Sequence, residues 1–192
     1  MNLYQIARGL YRGYVNLFSK LYTCYLRYVW NIKIGKHCRF RGTACFRQKP
    51  GTAIRVGEGN SFFSAQASNT IGINHKCILA TLSKGAVLEI GNDCGFSGTT
   101  ISCFSHIKIG NRVRVGANVV IMDGDYHLED TRTSAPRPIF ISDNVWIGYG
   151  CAIMKGVHIG ENSIIGINSV VIKDVPANVI VAGNPARVIK NL

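Results

Sequence analysis

From Ile141 to Pro176 a branched aliphatic residue returns at every sixth position: Ile141, Ile147, Ile153, Ile159, Ile165 and Val171. Four residues after each of the first five stands a small or β-branched one, Val145, Cys151, Val157, Ser163 and Ser169, and Gly148, Gly160 and Gly166 follow aliphatic positions. A helix repeats its apolar face every 3.6 residues and a strand every two, so neither explains a period of six. One large side chain turned inward and a small one fitted to a corner describe a chain wound as a triangular prism. Each face is one short strand, and about three hexads make a coil. Such a prism is filled with side chains, so chemistry is expected where the period breaks.

The same phase runs earlier through Ile109, Val115 and Ile121, with Val113 and Val119 at corners. It then lapses until Ile141, a gap of 20 residues where one coil takes 18, and the polar segment 122–140 reads as a loop pushed out of the prism. That loop holds Asp123, Asp125, Glu129 and Asp130, four of the chain's ten carboxylates, together with His127. Upstream, Ile34, Phe40 and Phe46 keep the sixfold register, and their aromatic members predict a wider, less regular first coil. Lys49 to Ala53 reads as a bend, the register from Phe63 to Lys84 is loose, and it slips again near Gly98 to Ser102. About seven coils result. The division is an N-terminal helical segment 1–31, a β-helix 32–182 carrying the loop 122–140, and a polar C-terminal tail 183–192.

The first 31 residues have another texture. Leu3, Ile6, Leu10, Tyr14, Leu17, Leu21 and Tyr25 recur at spacings of three and four, which predicts an amphipathic helix or a pair of helices. Arg8, Arg12, Lys20 and Arg27 interrupt the segment too often for a membrane span. Two readings stay open. The helix lies in a bilayer interface with its basic side chains snorkelling, or it caps the open end of the prism and packs on a neighbouring subunit.

Charge bears on that choice. Residues 1–57 contain eleven Lys or Arg and no acid, so they carry +11 of the formal +12. No nucleic-acid motif accompanies this charge, and nucleic acid is not expected as a partner. The seven cysteines are odd in number, no secretory signal pattern opens the sequence, and Cys38, Cys94 and Cys151 fall on corner positions. They read as reduced packing residues of a cytoplasmic protein.

Of five histidines, His37, His75, His106 and His158 lie in or beside hexads, where an outward or turn position explains them. His127 stands in the extruded loop two residues after Asp125. An imidazole there has the pKa to take a proton from a hydroxyl near neutrality, with a carboxylate or carbonyl on its other nitrogen fixing the tautomer. No set of histidines is spaced for a zinc site, and no metal is expected.

The hexads, the loop Asp123-Gly124-Asp125-Tyr126-His127, the run Asp143-Asn144-Val145-Trp146-Ile147-Gly148 and the close Val170 to Asn178 with Gly183-Asn184-Pro185-Ala186-Arg187 together resemble the hexapeptide-repeat acetyltransferases. The likeness is to the maltose, galactoside and nodulation-factor type and to the O-acetyltransferases of capsule and O-antigen synthesis. It is strong over 86–190, weaker over 32–85, and absent from the N-terminal segment. It implies a left-handed parallel β-helix, a homotrimer with sites in the grooves between subunits, and acetyl-CoA as co-substrate. On that likeness His127 is the general base, Asp125 its companion, and Ser97, where some relatives carry Asn, a donor to the oxyanion. Trp146, Gly148, Tyr149, Gly166, Ile167, Lys173 and Arg187 match positions along the cofactor. Ile172 replaces a common threonine and Leu128 a common proline.

The expected function is acetyl transfer to a saccharide hydroxyl in bacterial surface polysaccharide synthesis, in the cytoplasm or peripherally at the inner membrane face. One rival is an acetyltransferase for a free small sugar, amino sugar or antibiotic. A rival of another class is a non-catalytic solenoid scaffold, which would have no use for the His127 loop.

Overall fold

In the computed structural model, which describes residues 2–192, Asn2 starts a single long helix, α1 (Leu3–Tyr28), by accepting a hydrogen bond from the Tyr4 N–H at 3.0 Å. Residue 1 of the expected 1–31 segment lies outside the described residues. The helix stops where Asn31 turns to φ 52° and Ile32 bonds back to the Leu26 carbonyl. Its C-terminal half buries Val15, Ser19, Thr23 and Leu26, and the Tyr22 hydroxyl donates to the Ala44 carbonyl. Burial pushes that phenol up to about 12. Among the described residues no helix is long and apolar enough to cross a membrane.

After α1 the chain winds as a left-handed parallel β-helix of three sheets. The first face stacks Lys33–Ile34, Ala53–Val56, Val87–Ile90, His106–Ile109, Ile139–Ile141 and His158–Ile159. The second stacks Arg39–Arg41, Ser61–Phe63, Gly95–Ser97, Arg114–Ala117, Trp146–Ile147 and Ile164–Ile165, then Val179–Gly183 and Ala186–Asn191. Cys45–Gln48, Ile78–Thr81, Thr100–Cys103, Val120–Met122, Ala152–Met154 and Val170–Val171 form the third. Six coils are complete. A seventh closes two sides, through the Ile159–Val175 bridge and Val179–Gly183.

Inward residues fall in columns. Ile109, Val115, Ile121, Ile141, Ile147, Ile153, Ile159, Ile165 and Val171 are all buried, with Cys151, Ser163 and Ser169 at the corners. A corner leaves backbone carbonyls pointing at a tight bend, and the serines answer them: Ser163 Oγ donates to the Pro176 carbonyl at 2.6 Å and Ser169 Oγ to Gly166 at 2.7 Å. Stacking also explains two glycines, since a Cβ on Gly148 would sit 2.8 Å from the Ile165 oxygen and one on Gly166 2.9 Å from the Ala182 Cβ.

Three expectations change. The first coil is not irregular: Phe40 keeps register with Phe62 and Phe96 of the next two coils and the rings stack, with centroids 5.1 and 5.3 Å apart, because flat rings fill the column as well as aliphatics do. The loose stretch after Phe63 is a second extruded loop, 64–77, which carries a 3₁₀ turn at Gln66–Ser68. The polar tail is a strand, Ala186–Asn191, which folds back antiparallel on Val179–Gly183 and so covers the open edge of the second sheet.

Candidate functional site

A filled prism offers reactants only its faces, corners and loops, and the sequence-derived candidates divide between two corners. Strand Val120–Met122 ends the third face and Ile139–Ile141 begins the first, so the loop 123–138 leaves from the third–first corner. Asp125 and His127 ride on it. Lys173, between Val170–Val171 and Val175, stands on the same corner two coils further on.

The loop is anchored by Asp123. Its fully buried carboxylate accepts the backbone N–H groups of Phe104 and Ser105, at 2.5 and 2.9 Å, tying its neck to the corner of the coil before. Desolvation raises its pKa and the N–H donors work against that rise. Behind it Cys103 is pushed up to about 12 by burial and by the Asp123 charge, which leaves the thiol inert. Tyr126 adds a second hold: its hydroxyl lies 2.7 Å from Ser102 Oγ and its ring meets Phe104 edge to face.

Asp125 does not meet His127. It pairs with Lys155, whose side chain is only 14% exposed and whose ammonium also donates to the Ser134 carbonyl at 3.0 Å. The carboxylate beside the His127 ring is Glu129, its Oε1 3.6 Å from Nδ1, with both side chains about 80% exposed (81% and 79%). That is ion-pair distance and beyond a hydrogen bond. Asp125 therefore serves the loop's position while Glu129 stands next to the imidazole. The cause is reach: Lys155 projects from the next coil at the same corner and meets Asp125 as the loop leaves.

Ser97, Gly148, Tyr149, Gly166 and Ile167 lie along the second–third corner, one above another in successive coils apart from the coil of Ala117 and Asn118. Arg187 flanks the column's far end, opposite Ala182, and Trp146 stands exposed on the adjoining second face. Ile167, Trp146, Val188 and Ile189 are each at least half exposed here. Ser97 is buried. Its Oγ accepts from Asn69 Nδ2 at 3.0 Å, and its own hydroxyl hydrogen has no partner among the described residues. Asn69 comes from the loop 64–77, which leaves from this corner and also holds His75, 2.9 Å from Thr100 Oγ1.

Within one protomer, then, His127 and the Ser97–Ile167 column occupy different corners. Sequence reasoning missed Lys155, Glu129, Tyr126 and Asn69. Lys155 follows the hexad Ile153 with no local mark, and its partner is 30 residues away. Glu129 had a signal, since it stands two residues after the histidine.

Comparison with known proteins adds to this geometry. The family described as bacterial transferase hexapeptide (six repeats) matches residues 138–173. A Saccharomyces cerevisiae protein named "Putative acetyltransferase YJL218W" is 42% identical over 165 residues, covering 73% of this chain and 80% of that one. Galactoside O-acetyltransferase of Escherichia coli is 37% identical over 116 residues, and the match spans 57% of each chain, little more than half. A solved structure described as galactoside acetyltransferase in complex with coenzyme A superposes with a TM-score of 0.50 at 25% identity, over 83% of this chain and 64% of that one.

Proposed function

We proceed from the fact that this chain belongs to the hexapeptide-repeat acetyltransferases, and propose that it transfers an acetyl group from acetyl-CoA to a saccharide hydroxyl. The observation that carries the reading is the loop 123–138, which interrupts a filled prism and holds the His127 imidazole out in solvent. A solenoid scaffold has no need of it. The printed substrate of the Escherichia coli relative, a galactoside, supports a sugar as acceptor.

In this proposal His127 Nε2 accepts the proton of the acceptor hydroxyl as that oxygen bonds to the thioester carbonyl carbon. Glu129, moving a few tenths of an ångström toward Nδ1, holds the tautomer and stabilises the imidazolium that forms. The carbonyl electrons go to the oxyanion, met by backbone N–H groups and by the free Ser97 hydroxyl hydrogen. Collapse breaks the C–S bond, and the leaving thiolate takes the proton from His127. No covalent enzyme intermediate is needed.

Because the loop and the Ser97–Ile167 column occupy different corners, the reading has the site formed between copies: one supplies His127 and its neighbour the column, in a homotrimer. The exposed Trp146, Ile167, Val188 and Ile189 fit such burial, since large apolar side chains gathered on one edge mark a contact surface. Tyr149 and Ile167 would line the coenzyme's length, and Arg187 and Lys173 would meet its phosphates. The acceptor class is a glycan precursor of surface polysaccharide, built on a lipid carrier, to which the exposed apolar stripe of α1 would bring the enzyme.

The test is release of free thiol from acetyl-CoA with a panel of soluble and lipid-linked saccharides. Turnover with a saccharide, reduced about 10²- to 10⁴-fold in His127→Ala, is the expected result. Equal turnover in that variant would remove the imidazole from the mechanism, and preference for soluble sugars would favour the small-molecule rival.

A further inference from the structure

On the side of α1 that faces the first coil, away from the candidate active site, a cavity of about 580 Å³ opens between the helix and the corner Lys36–Arg39. Lys20 and Arg27 enter it from the helix, Lys36 and Arg39 from the coil, and Ser19 and Thr23 line it between them. None of the four cations is in an ion pair among the described residues. Residues 1–57 contain no acid at all, and the nearest carboxylate influence on this corner is Glu58, one coil on, whose charge reaches Cys38.

Arg27 is already fixed. Its Nε and Nη2 donate to the Ile34 carbonyl at 2.9 and 2.6 Å, which leaves Nη1 without a partner among the described residues. A guanidinium held in this way loses little further freedom on meeting a ligand.

Comparison of the coils sharpens the point. The first–second corner of each coil has one residue of positive φ: His37, Gly59, Asp93, Arg112, Asn144, Asn162 and Asn178. The residue just before it is Glu58, Asn92, Asn111, Asp143 and Glu161 in the next five coils, acids and amides of which Asn92, Asn111 and Asp143 accept the corner N–H of the coil before, and Ala177 in the last. In the first coil it is Lys36. The corner is basic where α1 covers it, and acids and amides prevail elsewhere.

We propose that this cavity is a binding site for a phosphate or diphosphate group. Four positive side chains from two elements converge on a concave, partly apolar space, which suits an anion with several oxygens better than a single carboxylate. The site is independent of the acyl-transfer reading. At about 100° per helical residue its wall, positions 16, 20, 23 and 27, lies roughly 120° around α1 from the apolar stripe Leu3, Leu10, Tyr14, Leu17 and Leu21. A phosphate in the cavity and a surface on the stripe therefore engage separate sides of the helix. The phosphate's carrier, soluble or lipid, is what the experiment decides.

Calorimetric titration of the full chain with inorganic pyrophosphate is the first measurement. Binding is expected to weaken with added salt and to fall about tenfold or more in Lys36→Glu/Arg39→Glu. Arg47→Glu/Lys49→Glu, an equal charge change on the third face and just past its strand, should leave it within about twofold. Two further arms identify the source: a nucleoside diphosphate in solution, and vesicles of neutral lipid with or without a polyprenyl diphosphate. Binding of either, lost in the first double variant and kept in the second, supports the site. Pyrophosphate binding that is absent, or equal in both double variants, overturns it. Acetyl transfer to a soluble sugar should be unchanged in all of these proteins, so failure of the phosphate site and failure of the acetyltransferase reading give different results.

Discussion

Asp123 shows how a single residue links fold to chemistry. It is the first residue after the prism's strand Val120–Met122, and the motif in which it stands reads as catalytic. Yet the carboxylate is fully buried and engaged with the backbone of Phe104 and Ser105. Asp123→Ala would leave two largely buried N–H groups unpaired, each worth about 1–3 kcal/mol when orphaned. Removing a desolvated charge recovers part of that, so a net loss near about 2 kcal/mol is expected in denaturant unfolding. An unchanged midpoint would show that the loop's neck does not depend on it. Neighbouring His127 was legible as a site candidate from loop position, and Asp125 from the family likeness. That Asp125 pairs with Lys155 was not legible, because a corner lysine 30 residues on carries no mark of its partner.

At the scale of elements, α1 shows two different faces. Its C-terminal half closes the prism: Leu26 joins the core, and Tyr22 packs edge to face on Phe40 at 5.0 Å. This is the capping reading of the sequence. Leu3, Leu10, Tyr14, Leu17 and Leu21 remain more than half exposed, and at about 100° per residue Arg8 and Arg12 fall on the opposite side of the helix. On the proposed reading the stripe meets an anionic surface, and like charge works against packing α1 on other copies, since residues 1–57 of each bring +11. Leu10→Glu/Leu17→Glu, which touches no core residue, should therefore reduce co-sedimentation with anionic vesicles by about tenfold or more, two Leu side chains contributing about 1.5–3 kcal/mol each when buried. Unchanged sedimentation with vesicles, together with a smaller particle in solution, would instead assign the stripe to subunit contact. The helical texture of this segment was plain from its three-and-four spacing. What covers each face was not, because the spacing of apolar residues is the same for a core, a membrane and a partner helix.

For the whole molecule the decisive feature is the separation of the candidate residues onto two corners. If the site forms between copies, His127→Ala and Ile167→Glu damage different halves of it. Each variant alone should be nearly inactive, whereas trimers refolded from an equal mixture should recover about a quarter of wild-type activity, because a quarter of the interfaces pair two intact halves. No recovery would place both residues in one protomer's site. The sequence by itself determined the coil: a period of six is a property of the chain read locally, and it specifies which side chains turn inward wherever the count is unbroken. It also located the lapse at 122–140 where an imidazole emerges. Only the tertiary structure decided which corner each candidate occupies, that Phe40, Phe62 and Phe96 stack in register, and that Asn69 reaches Ser97. The reason is physical. Each extruded loop shifts the count, and contacts between coils join residues 13 to 46 positions apart that no local pattern relates.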